Sequence, residues 1–133
     1  MHRLVVKTHK KREIVDITQK LEAILWKNYP EKTGIFQLNL LHTTAALTTA
    51  DLDPGTDLDM LDAFDIMVPK LDYRHEHNPE HVPDHILSTM IGCSLGLAVE
   101  AGLLLLGTWQ RVVLVELDGP RERELVVALV ETE

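Results

Sequence analysis

Short apolar runs along this chain alternate between a two-residue and a three-to-four-residue period. Leu4 to Thr8 and Ile14 to Ile17 are apolar or β-branched runs separated by Lys10-Lys11-Arg12, the pattern of two strands joined by an exposed hairpin turn. Thr18 is placed to cap a helix over residues 19–28, with Leu21, Ile24 and Leu25 as its apolar stripe and Pro30 and Gly34 beyond its end. Ile35 to Leu41 reads as a strand, and alternation puts Phe36, Leu38, Leu40 and, if the strand runs through, His42 on one face. Asp53-Pro54 supplies a helix start, an acid at the cap and Pro at the first helical position; Leu58, Leu61, Phe64, Ile66 and Val68 are its core-facing positions up to Pro69.

Tyr73 to Pro83 is a polar, proline-broken loop that leads into a helix from Asp84 to Gly92. The remaining runs, at 94–99, 103–106, 111–117 and 124–131, are separated by turns at Glu100-Ala101-Gly102, Gly107 and Asp118-Gly119-Pro120, which predicts a terminal antiparallel meander. Leu125 to Val130 is apolar on both faces of its strand, which calls for cover on two sides, from helices or from another subunit. No repeat, low-complexity tract or linker-like shift divides the chain. The expectation is one compact α+β domain over 1–133, a mostly antiparallel sheet with two to three helices.

Composition narrows the functional classes. With 133 residues, 45% apolar and 26% charged, a single core suffices without disulfide staples, and the lone Cys93 can form none within the chain. Cys93 follows Gly92 at a helix end with no cationic neighbour in sequence, which favours a buried small side chain over a reactive thiolate. The net charge of −8 opposes a phosphate backbone, so generic nucleic-acid binding is disfavoured. Residues 51–65 hold six Asp and no Lys or Arg, which is read as a solvated acidic helix face. The N-terminal run turns charged before any signal-like apolar stretch develops, and Leu95 to Trp109 is too short and too interrupted to span a bilayer. A cytoplasmic protein without membrane contact is expected.

Histidines carry the chemistry. Four of the seven, His75, His77, His81 and His85, fall within eleven positions. Imidazole ligates borderline metals and exchanges protons near neutrality, so the cluster is read as metal ligands, as acid–base groups, or as hydrogen-bonded loop residues. Pro83 keeps residues 81 and 82 before or at the helix start, which argues against His81 and His85 sharing a regular helical face. His42, at the end of an apolar strand and flanked by threonine, is a candidate distant ligand or general base. Glu116 shares a strand face with Val112 and Leu114, so it either has a partner or lies on an edge strand facing water. The turns Gly107-Thr108-Trp109-Gln110 and Asp118-Gly119-Pro120-Arg121 offer backbone N–H groups and a guanidinium to an anion.

These segments together, His42-Thr43-Thr44-Ala45-Ala46-Leu47-Thr48, Asp53-Pro54, Tyr73-x-His75, Val82-Pro83-Asp84-His85-Ile86, Gly92-x-Ser94-Leu95 and Gly107-Thr108-Trp109-Gln110, resemble the YjbQ-like family, also called the secondary thiamine-phosphate synthase family. The resemblance is clearest from about Leu38 to Arg123. It implies a compact α+β domain assembling as a homotrimer, with His42, His75 and His85 lining one pocket that holds a metal ion or an oxyanion. His77 and His81 have no counterpart in it. The family's usual Asn-Glu pair before Asp-Pro is replaced here by Ala50-Asp51.

The reaction implied joins a hydroxymethylpyrimidine diphosphate to a thiazole phosphate and releases pyrophosphate. In that scheme a divalent metal on His42, His75 and His85, helped by Arg121, offsets the charge on the departing pyrophosphate, and Glu116 orients a ligand histidine. Thr43, Thr44, Thr108 and Arg121 are the expected substrate contacts, with Arg123 beside Arg121 in the basic turn. Three imidazoles suit Zn, with Ni, Co or Fe also fitting, whereas Mg would come with the diphosphate. The rival expectation is a trimeric metal- or anion-binding module without turnover.

Overall fold

A computed structural model describes residues 1–132. Its organising strand is β7 (Arg111–Glu116), whose Val-Val-Leu-Val run is apolar on both faces and buried on both. β7 lies between β2 (Glu13–Asp16) and β4 (Ala45–Ala50) in a three-stranded antiparallel sheet. One face of that sheet, with Val112 and Leu114, packs into a core shared with a five-stranded antiparallel sheet. The larger sheet runs in the order β1 (His2–Lys7), β8 (Glu122–Glu131), β3 (Gly34–Leu40), β5 (Ser94–Glu100) and β6 (Leu103–Leu104). Leu21 and Leu25 of α1 (Thr18–Asn28) fill the same core. The opposite face of β7, with Val113 and Val115, packs with Leu87 of α3 (Val82–Ile91), Phe64 of α2 (Thr56–Met67) and Val68.

The α+β class with three helices is as expected, but the C-terminal connectivity differs from the predicted meander. β5 and β6 form a hairpin, β7 crosses to the other sheet, and β8 returns between β1 and β3. The two-faced apolar pattern belongs to the central interior strand β7. In β8, Leu125 and Val127 face the core, while Val130 is 60% exposed, so no helix covers its outer face.

Several boundaries also move. β4 is a strand the apolar pattern misses, because Ala-Ala-Leu-Thr-Thr-Ala lacks bulky alternation and is held by its pairing to β7. Thr18 stands inside α1, not at its cap; its hydroxyl donates to Asp16 Oδ1 at 2.7 Å and accepts the Val112 N–H at 2.9 Å, tying the helix to β7. At α2 the cap position is Gly55, at φ 92°, and Asp53 contributes its carbonyl to the Thr56 N–H rather than a side-chain cap. α3 starts at Val82 after a single 3-10 turn, Pro79–His81, two residues before the predicted start. Among the described residues, no helix is long and apolar enough to cross a membrane.

Candidate functional site

Every feature of the site hangs on the segment between β3 and β4. Thr44 receives the Leu117 N–H on its carbonyl at 3.2 Å, so the segment is fixed against the end of β7. It forms one wall of a cleft of about 650 Å³ whose other wall is the loop from β7 to β8; His42, Thr43, Thr44, His81, Asp118 and Arg121 line it.

His42 does not point idly from the end of β3. Its Nε2 accepts the Glu124 backbone N–H at 2.8 Å, which places the neutral ring's proton on Nδ1. Burial disfavours the imidazolium, as does the charge of Arg123, and together they hold His42 below the usual imidazole range against the pull of Glu116 and Glu124. His85, from the first turn of α3, places Nδ1 2.8 Å from the Thr43 carbonyl. A carbonyl only accepts, so Nδ1 carries the proton and Nε2 keeps the lone pair. His75 stacks on His85, with ring centroids 5.4 Å apart and planes 17° from parallel. Its Nδ1 accepts the N–H groups of His77 and Asn78, at 3.2 and 2.9 Å, leaving Nε2–H as a donor.

The fold thus brings His75 and His85 together and ties His85 to the 42–44 segment, but it does not arm the rings as a metal centre. Tri-imidazole coordination needs three lone pairs aimed at one point. Two of the three are used by backbone N–H groups, and only His85 Nε2 is free. Among the described residues, no three His, Cys, Asp or Glu side chains come together closely enough to hold a metal ion. What the rings offer instead is one acceptor and two N–H donors, a set suited to an oxyanion and its neighbouring groups.

Glu116 has the partner its apolar strand face demanded, but that partner is not a histidine. It is 0% exposed on the central strand, not on an edge, and no histidine touches it. Its partner is Arg123, 2% exposed, whose Nη2 and Nε both donate to the carboxylate; Thr8 Oγ1 donates at 2.6 Å and the Asp118 N–H at 3.3 Å. Burial alone would push this carboxyl up, but the hydrogen bonds from Arg123 and Thr8 and the Arg123 charge outweigh it and hold Glu116 below the usual carboxylate range. Arg123 also donates to the carbonyl and hydroxyl of Thr44, at 3.0 and 2.9 Å. Both residues therefore position the 42–44 segment, although Arg123 also lines the cleft.

Arg121 does face the cleft. Its Nε donates to the Asp118 carbonyl and its Nη2 to Asp118 Oδ2, each at 2.8 Å. Thr108 stands apart, exposed in a turn whose neighbour Gln110 donates to Thr49 near the far end of β4 from Thr44. Two cleft residues escape the sequence reading. Asp118 registers there only as part of a turn. His81 is passed over in favour of His42, His75 and His85; the surplus of histidine is its signal. Cys93 is half-buried and within 3.4 Å of the Ser88 hydroxyl.

The model of the family described as UPF0047 protein YjbQ-like matches residues 2–132. Among its relatives, the UPF0047 protein YugU of Bacillus subtilis is 36% identical over 131 residues, covering 95% of this chain and 96% of YugU. A UPF0047 protein of Archaeoglobus fulgidus is 35% identical over 125 residues, covering 93% of this chain and 96% of its own length. A YbjQ-like protein from Sulfolobus solfataricus superposes with a TM-score of 0.90 at 32% identity, covering 98% of this chain and 96% of that one. A conserved hypothetical protein from Thermus thermophilus gives 0.86 at 37% identity, covering 98% of this chain and all of that one. With nearly every residue matched by the family model, by relatives above 30% identity and by solved folds, the chain belongs to the YjbQ-like UPF0047 family.

Proposed function

We propose that the cleft between residues 41–44 and 118–123 binds a phosphorylated small molecule, and that the chain is a transferase of the thiamine-phosphate synthase type. In that reaction the bond from the pyrimidine methylene carbon to the diphosphate oxygen breaks, its electron pair leaving with pyrophosphate. The thiazole nitrogen's lone pair forms the new C–N bond, so no proton has to be removed at the reacting atoms. The burden on the protein is electrostatic: negative charge collects on the leaving group and must be met by donors held in place beforehand. His75 Nε2–H, Arg121 and the hydroxyls of Thr43 and Thr44 are the donors for it. His85 Nε2 is the acceptor that orients the organic part.

The observation that carries this reading is a cleft in which the Arg121 guanidinium and the hydroxyls of Thr43 and Thr44 face one space; His75 and His85 do not line it, but His85 Nδ1 bonds the carbonyl of its lining residue Thr43. In this reading the divalent cation is Mg, brought by the diphosphate on its oxygens rather than held by the rings. The outer face of β8, apolar and uncovered within one chain, is where the proposed homotrimer places its neighbours.

The test mixes the purified protein with the two phosphorylated precursors, with and without Mg, and follows thiamine phosphate. Product is expected from the native chain and a loss of at least a hundredfold in His85→Ala and Arg121→Ala, with unchanged circular dichroism. Retained binding of the diphosphate with no product at all favours the module without turnover.

A further inference from the structure

We propose that His81 and Asp118 couple anion binding in this cleft to the uptake of a proton, so that the site is loaded more tightly as pH falls. The inference rests on the reading of the cleft as an anion site and adds to it a residue that no motif assigns.

Arg121 supplies the cleft's accessible guanidinium, but it is already engaged, since two of its nitrogens donate to Asp118. Arg123 is buried and paired with Glu116, whose charge offsets its own, and it also donates to Thr44. With the histidines neutral, these two guanidinium groups face three carboxylates, those of Asp118, Glu116 and Glu122, so an incoming dianion meets no net positive charge. Arg121 keeps both Nη1 hydrogens and one on Nη2 for an anion, but the carboxylate it holds, only 11% exposed, offsets the charge of the guanidinium and repels the ligand.

His81 answers that need. Its Nε2 lies 3.8 Å from Asp118 Oδ2, the same oxygen that Arg121 Nη2 holds. In the neutral ring this nitrogen is 3.4 Å from the Asn78 amide, whose N–H it accepts. Once protonated, it becomes a donor and a cation facing the carboxylate and offsets its charge. The charge of Arg121 then acts on the ligand unopposed. The other charged or titratable groups around His81 are Asp84 on the helix that follows it, Lys11 and Arg12 from the β1–β2 turn, and His42 and Glu122 in the cleft. Of these, Asp84 is held by Arg12 at 2.8 Å and does not compete for the imidazolium as a free carboxylate.

Inorganic sulfate is the suitable probe, because it remains a dianion across the imidazole range. Sulfate affinity is measured by equilibrium dialysis at pH 5.5, 6.5, 7.5 and 8.0 for the native protein, His81→Gln and Asp118→Asn. The native protein is expected to bind about fivefold or more tightly at pH 5.5 than at 7.5, because binding takes up a proton. His81→Gln flattens the profile to within about twofold at the weak level of high pH. Asp118→Asn removes the opposing carboxylate charge without a proton and gives tight, pH-independent binding. A slope that survives in His81→Gln, or a flat native profile, overturns the inference while leaving the anion site standing. Absence of sulfate binding at every pH overturns the anion reading of the cleft and the inference with it.

Discussion

Glu116 and Arg123 show how one buried ion pair can serve a site without entering it. The carboxylate is satisfied by four donors, and the guanidinium also donates to the carbonyl and hydroxyl of Thr44. Removing one partner strands the other charge, so Glu116→Leu is expected to lower stability by about 3–5 kcal/mol in urea unfolding. Glu116→Leu with Arg123→Met is expected to recover part of that loss, less the bonds to Thr44 and Thr8. His42 sets a second expectation at the same level. Its folded-state pKa is depressed, so the unfolded chain takes up the proton first as pH falls. Its contribution is present above about pH 6.5 and is lost below it. His42→Gln, which still accepts the Glu124 N–H, should show a shallower loss of thermal stability between pH 6.5 and 5. The local chemistry of these side chains was visible in the sequence, which marked His42 and a carboxylate in need of a partner. The partner itself was not visible, because residues 8, 44, 116 and 123 meet only through strand pairing.

Among the elements, the loop from β7 to β8 bears a tight geometric demand at Gly119. A Cβ on Gly119 would lie 2.2 Å from the Lys10 carbonyl oxygen and 2.8 Å from Glu116 Cγ, and the Gly119 N–H donates to the Lys11 carbonyl at 2.9 Å. Gly119→Ala therefore has to push the β1–β2 turn away from the wall that carries Asp118 and Arg121. A cost of about 1–3 kcal/mol is expected, with weaker sulfate binding. Calorimetry and dialysis on one sample check both. Strands and helices were legible wherever a period was supported by bulky side chains, as in β3 and α1. β4 was not, since alanine and threonine carry little pattern of their own, and its register comes from β7. The cap of α1 was misplaced for a related reason: Thr18 has the chemistry of a cap, but a strand N–H from Val112 competes for its hydroxyl.

The assembled fold decides which surfaces are spent and which remain. One face of the five-stranded sheet is core; on the other, Val5, Ile35 and Val130 are exposed. Val130→Lys is expected to leave the circular dichroism unchanged, because no packed neighbour is lost within the chain, and to reduce the mass seen by light scattering to that of one chain, in keeping with the proposed trimer. An unchanged three-chain mass would place the interface elsewhere. Local sequence is enough for the class of fold, most of its elements and the residue types of the site, since periodicity, turn residues and imidazole chemistry act within a few positions of the chain. Long-range packing alone settles the rest. It puts β7 rather than β8 at the centre, buries Arg123 against Glu116 and leaves Arg121 half-exposed beside Asp118. It also turns two of three imidazole lone pairs toward backbone N–H groups, because each of these outcomes depends on which distant strand competes successfully for a buried polar group.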